Sequence, residues 1–306
     1  PSISFRGECD KCTINNCEFY QIAGNVLKLD QTDAGVVPSD FTLTNNLVNG
    51  YGRFYRLCDG IMIGRCHRAL IDRNTVSEGY YTAFSIGRTW EHAENWTDNI
   101  IITHNHIFNI GTGVVNDMGA IYMLGEQPGT VVAYNWIHDL TDCAGIYPDQ
   151  GNSYVRINHN FLYNIDGAGI TMTGSSDDMI VENNIVLFSV CLLNGGVNFY
   201  GSWLPTAPIF RNNILLAEDM NDEFLGWGLR YSDMEDIWPF EQYNNYFFRY
   251  SGEYEKNFPL FDGMYYDEDP LFKDPLNGDF TLSEDSPLYD LEEFEIWDFF
   301  DAGRPE

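Results

Sequence analysis

Ile101-Ile-Thr-His-Asn105-His-Ile-Phe108, Val131-Val-Ala-Tyr-Asn135-Trp-Ile137, Val155-Arg-Ile-Asn-His-Asn160-Phe-Leu162 and Ile180-Val-Glu-Asn-Asn184-Ile-Val186 share one pattern. A short apolar run ends in Asn, and an apolar pair follows. Five more segments end the same way: Thr13–Asn16, Thr42–Asn46, Ile71–Asn74, Ile209–Asn213 and Gln242–Asn245. The final Asn positions step by 30, 28, 31, 30, 25, 24, 29 and 32. Such a period marks a solenoid with one supersecondary unit per repeat. The segments are too short for helices and alternate with period two, so each is a strand. The expected fold is all-β, a single-stranded parallel β-helix of about nine coils. The repeat fills residues 1–250, and an acidic segment, residues 251–306, is expected to pack back along it. Asn suits the corner between strands. It tolerates left-handed backbone geometry, and its amide can bond both the backbone and the Asn one coil away.

The charge balance narrows the partners. Sixteen Lys and Arg face 46 Asp and Glu, a net charge of −30. A surface of that sign does not neutralise phosphates, so nucleic acid is not an expected partner. A polyuronate is also disfavoured, because the only lysines are Lys11, Lys28, Lys256 and Lys273. Such acidity suits a soluble extracellular protein. The cysteines are Cys9, Cys12, Cys17, Cys58, Cys66, Cys143 and Cys191. No spaced His or fourth Cys completes a zinc set around Cys9, Cys12 and Cys17, so disulfides with one thiol left over are the expectation. Asn95-Trp-Thr97 is the single glycosylation sequon. No segment reads as a signal peptide or membrane span. A chain opening on Pro1 reads as a mature product or an excised piece.

A second strand series follows small residues: Ala83-Phe-Ser-Ile-Gly87, Ala120-Ile-Tyr-Met-Leu124, Gly145-Ile-Tyr-Pro-Asp149, Gly169-Ile-Thr-Met-Thr173 and Gly196-Val-Asn-Phe-Tyr200. Alternation sends Phe84, Ile121, Ile146, Ile170 and Val197 inward as one core ladder. It sends Ser85, Tyr122, Tyr147, Thr171 and Asn198 outward, with Leu124, Asp149, Thr173 and Tyr200 beside them. Tyr faces next to hydrogen-bonding groups suit the apolar face and hydroxyl rim of a sugar. The plainer alternative is that Tyr covers a sheet it favours.

Three acids precede these strands by a constant offset: Asp117, Asp142 and Asp166 each lie four residues before a core Ile. In register they would stack as a carboxylate ladder, able to hold Ca²⁺ or to raise one another's proton affinity. Each could equally cap the turn ahead of its strand. No other cofactor is expected. Asp149 and Glu126 sit at the same end of neighbouring strands, as a two-carboxylate hydrolase requires. His104, His106, His138 and His159 are scattered around the coil, which disfavours a joint metal site. The segment from Arg88 to Asn99 is a long excursion right after an outward-strip strand and carries Arg88, Trp90, His92 and Trp96. Trp203 occupies the analogous loop after Tyr200. Loops at that end wall a cleft.

Asn116-Asp-Met-Gly-Ala-Ile-Tyr122, Gly125-Glu-Gln-Pro-Gly-Thr130, Asn135-Trp-Ile-His-Asp139 and Gly145-Ile-Tyr-Pro-Asp149-Gln-Gly151 resemble the right-handed parallel β-helix repeat proteins. More narrowly, they are similar to the branch of the pectate-lyase-like superfamily related to glycoside hydrolase family 141. Asp269-Pro-Leu-Phe-Lys-Asp-Pro-Leu-Asn-Gly-Asp-Phe-Thr-Leu282 and Ser286-Pro-Leu288 look like the closing segment of such proteins. The resemblance implies a right-handed solenoid and paired catalytic acids at Asp117 and Asp149. Gln150 stands where the family usually has an acid, and Pro148 where it has an aliphatic residue.

The expected function is therefore that of a secreted glycoside hydrolase cleaving a neutral polysaccharide with two carboxyls, Glu126 being the third candidate acid. A lyase needs cationic neutralisation of a uronate, and Arg88 is the only basic side chain near the strip. The alternative is a non-catalytic extracellular structural, adhesive or filament-forming protein, since the open ends of a solenoid allow head-to-tail assembly.

Overall fold

The computed structural model describes residues 1–7, 9–29, 37–93, 95–172, 178–187, 190–193, 208–217, 241–249, 265–266, 268–291 and 294–305. Among these, the first eight coils each contribute one strand to each of three parallel sheets. Sheet 1 has eight strands, from Ile3–Phe5 to Val190–Leu193. Sheet 2 has nine, from Thr13–Asn15 to Glu241–Tyr243, and it collects the Asn-ending segments. Sheet 3 has ten, from Glu18–Tyr20 to Tyr265–Tyr266. The chain passes from sheet 1 to 2 to 3 in each of these eight coils. That route places each apolar position above its equivalent in the next coil.

The interior is a set of such columns. In sheet 1, Ile61, Phe84, Ile121, Ile146 and Ile170 stand in one register and are buried. Burying a side chain of this size stabilises the fold by roughly 1.5–3 kcal/mol. The next rung differs from the expectation. Ile170 pairs with Cys191 in Val190–Leu193, after a register shift between Ala168 and Ile170. Val190-Cys-Leu-Leu193 is itself a run of strand-forming residues, and it is reached before Gly196. Val197, Asn198, Tyr200 and Trp203 lie outside the described residues, and the row position expected for Asn198 belongs to Leu192.

The corner between sheets 2 and 3 divides two roles that the sequence reading gave to one Asn. The left-handed residue is the one before it: Asn45, Arg73, His104, Tyr134, His159, Asn183, Asn212 and Asn244 have φ between 49° and 57°. The Asn that follows turns its amide inward. Asn46, Asn74, Asn105, Asn135, Asn160, Asn184 and Asn213 each donate Nδ2 to the Oδ1 of the Asn one coil on, at 2.9–3.0 Å. In the first coil the register is offset by one. Asn16 takes the left-handed position, with φ 55°, and Cys17 stands at the end of the ladder. Its N–H donates to Asn46 Oδ1 at 2.9 Å.

The outer face of sheet 3 is covered by the end of the chain. An antiparallel hairpin, Phe272–Asp274 with Asp279–Leu282, starts this layer. Phe280 meets Phe161 edge-on at 4.9 Å, and Phe299 stacks on Phe161 at 4.1 Å. Phe300 packs against Trp136, and Trp297 against His159. Arg73 grips Asp301 at 2.7 Å, and Arg304 reaches Glu18 at 2.8 Å. The chain thus runs back along the solenoid toward its first coils.

The six cysteines with described side chains, Cys9, Cys12, Cys17, Cys58, Cys66 and Cys143, are free thiols, where disulfides were expected. Cys66 and Cys143 are core residues of separate coils. Burial pushes the Cys66 thiol up to about 12, which makes it unreactive.

Candidate functional site

Sheet 1 presents one outward row. Lys28, Met62, Ser85, Tyr122 and Tyr147 follow each other strand by strand, Thr171 continues the row next to Ile170, and Leu192 is the backbone partner of Thr171. Tyr122 and Tyr147 are neighbours on Gly119–Met123 and Ala144–Pro148, with rings edge-on at 5.2 Å. Gly119 makes room for this. A Cβ there would lie 2.8 Å from the Cβ of Tyr147.

Asp149 follows the strand Ala144–Pro148. Its N–H donates to Met123 O at 2.9 Å and its carbonyl accepts from Asn152 N at 2.8 Å, so its backbone is pinned. The residue is 9% exposed, and its carboxylate accepts the Tyr122 hydroxyl at 2.5 Å. Asp117 comes from the opposite edge, on the exposed loop between sheets 3 and 1, with φ 56°. Its carbonyl accepts the Tyr81 hydroxyl at 3.1 Å, and the Tyr147 hydroxyl lies beside its carboxylate. The two acids therefore flank the tyrosine pair, Asp149 hydrogen-bonded to Tyr122 and Asp117 beside Tyr147. Burial, then the Asp149 carboxylate, drives both phenols well above their ordinary proton affinity, so both stay hydrogen-bond donors.

The other candidate residues fall around this centre. Glu126 has turned the corner. It opens the sheet 2 strand Glu126–Ala133, opposite Ser153, and its neighbour is His92 at 3.5 Å. Arg88, Trp90 and His92 lie on the loop that crosses the ends of the sheet 1 strands, and Trp90 is 63% exposed. Asn95 pins that loop. Its Oδ1 accepts from Arg88 N and Thr89 N at 3.1 and 3.2 Å, and its Nδ2 donates to Leu124 O at 2.7 Å. The loop also closes on the turn after Asp149, where a Cβ on Gly151 would lie 2.2 Å from the Glu91 backbone. The sequon Asn is thus buried with its amide occupied. A glycan there would dismantle the loop, contrary to the expectation of glycosylation.

The carboxylate ladder does not form. Asp166 stands beside Thr141 rather than Asp142, one residue out of register. Among the described residues no group of three or more His, Cys, Asp or Glu side chains is placed to hold a metal ion. Asp142 and Asp166 are exposed at the corner.

Asp59 was not singled out from the sequence. It precedes Ile61–Ile63 and lies half-buried near Tyr81 and Lys28. Burial pushes its carboxyl up to about 7. No repeat marks it. Its signal is depth at a corner, which no pattern in the letters conveys.

A family profile described as a right-handed beta helix region matches residues 39–214. The chain belongs to that family. The matched span of this right-handed β-helix holds seven of the nine sheet 2 strands, hence about six turns, and the solenoid continues at both ends. No curated protein matches the chain. Among solved structures, the tailspike protein of E. coli bacteriophage HK620 in complex with a pentasaccharide is 16% identical, with TM-score 0.58, over 78% of this chain and 45% of that one. A double mutant of the same tailspike, also with pentasaccharide, is 15% identical with TM-score 0.58 over the same shares. A glycoside hydrolase is 19% identical with TM-score 0.46 over 69% of this chain and 33% of that one. What the chain shares with the tailspikes at these identities is the fold. The chain spans less than half the length of each of these proteins.

Proposed function

We propose that this β-helix is a secreted carbohydrate-active protein that hydrolyses a neutral polysaccharide along the outer face of sheet 1. The observation that carries the reading is the placing of Asp117 and Asp149 about the Tyr122–Tyr147 pair, with Tyr122 hydrogen-bonded to Asp149. Two carboxyls on one face, with aromatic rings between them, are what glycosidic cleavage needs. One protonates the departing oxygen, and the other attacks the anomeric carbon or activates water. Trp90 and the loop bearing Arg88 and His92 serve as one wall. Glycan binding by the tailspike of the same fold is a supporting analogy. The negative charge of the chain favours an uncharged sugar over a uronate and suits an extracellular location.

The test is release of reducing ends from a panel of neutral polysaccharides. Asp149→Asn and Asp117→Asn should each lower turnover by orders of magnitude and leave glycan binding intact, because removing a reacting carboxyl acts on the transition state. An unmutated protein that binds no glycan and cleaves none of the panel overturns the reading. It would point instead to the structural or self-assembling role.

A further inference from the structure

The two tyrosine–acid contacts are crossed. Tyr122, from the coil of Asp117, holds Asp149 of the next coil. Tyr147, from the coil of Asp149, reaches Asp117. The acids differ in setting. Asp149 is nearly buried, pinned at N–H and carbonyl, with Oδ2 occupied by Tyr122. That leaves Oδ1 as its working atom. Asp117 stands on an exposed turn and meets water directly.

We propose that Tyr122 and Tyr147 are the positioning residues of this site, and that the acid pair is divided by access to water. Asp149 is the group that acts at the anomeric carbon, and Asp117 is the proton donor to the departing oxygen. This rests on the hydrolase reading and deepens it.

The chemistry follows from the setting. A group that forms or assists a bond at carbon must be fixed to a fraction of an ångström, which the Tyr122 hydrogen bond and the pinned backbone supply. A group that gives up a proton in each cycle must recover it from water, which the exposed turn allows. As the glycosidic C–O bond breaks, its oxygen takes the Asp117 proton. The anomeric carbon then bonds either to Asp149 Oδ1 or to a water whose proton passes to Asp149. In the first case a second water hydrolyses the ester, its proton returns to Asp117, and Asp149 leaves as carboxylate. In the second case the proton on Asp149 is lost to solvent and Asp117 is reprotonated from it.

Tyr122 cannot be the nucleophile in this scheme. Its phenol is held protonated by burial and by the carboxylate beside it. Its part is to aim.

The experiment uses the intact chain, a polysaccharide that the unmutated protein cleaves, and an aryl glycoside of the same sugar with a good leaving group. Tyr122→Phe should lower kcat by up to about 100-fold on both substrates with KM within twofold, since misaiming a reacting group can lose that much. Tyr147→Phe should lower kcat on the polysaccharide and spare the aryl glycoside, which needs no proton donor. Asp117→Ala should show the same split more strongly in the first turnover, since the initial release of the aryl group needs no proton donor whichever branch follows. Asp149→Ala should fail on both, with turnover restored by azide, which fills the vacated space. A glycosyl azide product marks direct attack, and restored hydrolysis marks base assistance to water. Tyr122→Phe with unchanged kcat overturns the positioning role. An aryl-glycoside split at Asp149, with no initial aryl release by Asp117→Ala, overturns the division of roles while leaving the hydrolase reading in place. An unmutated protein inactive on every glycan overturns both.

Discussion

The Tyr122 hydroxyl donates to the Asp149 carboxylate at 2.5 Å, and the two residues belong to adjacent coils, 27 positions apart in the chain. One consequence is energetic. Asp149→Ala leaves a half-buried phenol with no acceptor, and an unmet buried donor costs about 1–3 kcal/mol. Asp149→Asn keeps an oxygen in place. Thermal melts should therefore show a clear loss for the Ala variant and little change for the Asn variant. Equal melting of the two would mean that the hydrogen bond contributes nothing to the fold.

The Asn ladder yields a second prediction. Asn135 donates to Ile102 O, Ala133 O and Asn160 Oδ1, and it accepts from both nitrogens of Asn105. Asn135→Ala strips partners from buried groups on three coils. It should cost at least about 3 kcal/mol in chemical denaturation, more than one exposed hydrogen bond is worth. A loss below about 1 kcal/mol would show the ladder to be ornamental.

The vacant end of the ladder gives its converse. Cys17 occupies the Asn position of the first coil, and its N–H already donates to Asn46 Oδ1. Cys17→Asn extends the ladder by one amide. The expected gain is about 1 kcal/mol, the net worth of a typical hydrogen bond. A variant less stable than the parent would mean that the first coil departs from the common register.

How much of this was legible beforehand depends on the range of the signal. The interval between Asn105, Asn135 and Asn160 carried the solenoid, because a coil repeats its register and the letters repeat with it. The rows Ser85–Tyr122–Tyr147–Thr171 followed from strand alternation alone. Asn198 was assigned to a row that Leu192 fills, because Val190–Leu193 and the run from Gly196 satisfy the same pattern and only three-dimensional closure separates them. The Asp142–Asp166 offset failed for a related reason. A constant distance to the following Ile does not fix which side of the corner an acid occupies. Asn95 matched a modification motif by its letters, and its burial reversed the meaning.

Asp59 supplies a pH-dependent prediction. Burial raises its carboxyl from an ordinary 3.8 to about 7 in the fold. The folded chain therefore holds this proton more tightly than the unfolded chain. Its contribution to stability is present below about pH 4, is lost as pH rises through 7, and is flat beyond. Asp59→Asn removes the ionisation. The variant should melt above the parent at pH 8, with the gap closing toward pH 4. A gap that does not vary with pH would show that Asp59 is solvated like a surface acid.

The histidines under the C-terminal layer act in the opposite sense. Burial lowers His104, His138 and His159 below their ordinary 6.5, and takes His106 down to about 3. His106 Nε2 lies 2.7 Å from His138 Nε2, and His106 is stacked on Trp136 at 4.0 Å, where a second proton has no room. Asp139 faces His138; Asp72, Arg73 and Asp301 face His104; Glu295, Glu182 and Arg156 face His159. The unfolded or uncovered chain takes up protons that the packed one refuses. Stability is thus full above about pH 6.5 and falls as pH drops below it. The layer should loosen first, because Arg73–Asp301 and Arg304–Glu18 are partly exposed ion pairs of small worth. Amide exchange across residues 294–305, corrected for the intrinsic rate at each pH, should rise between pH 7 and pH 5 while the Asn ladder stays protected. His106→Gln keeps a hydrogen-bond partner for His138 and removes one proton site, so it should flatten that rise. Exchange in this segment that is independent of pH, in parent and variant alike, would mean that the histidines titrate without moving the layer.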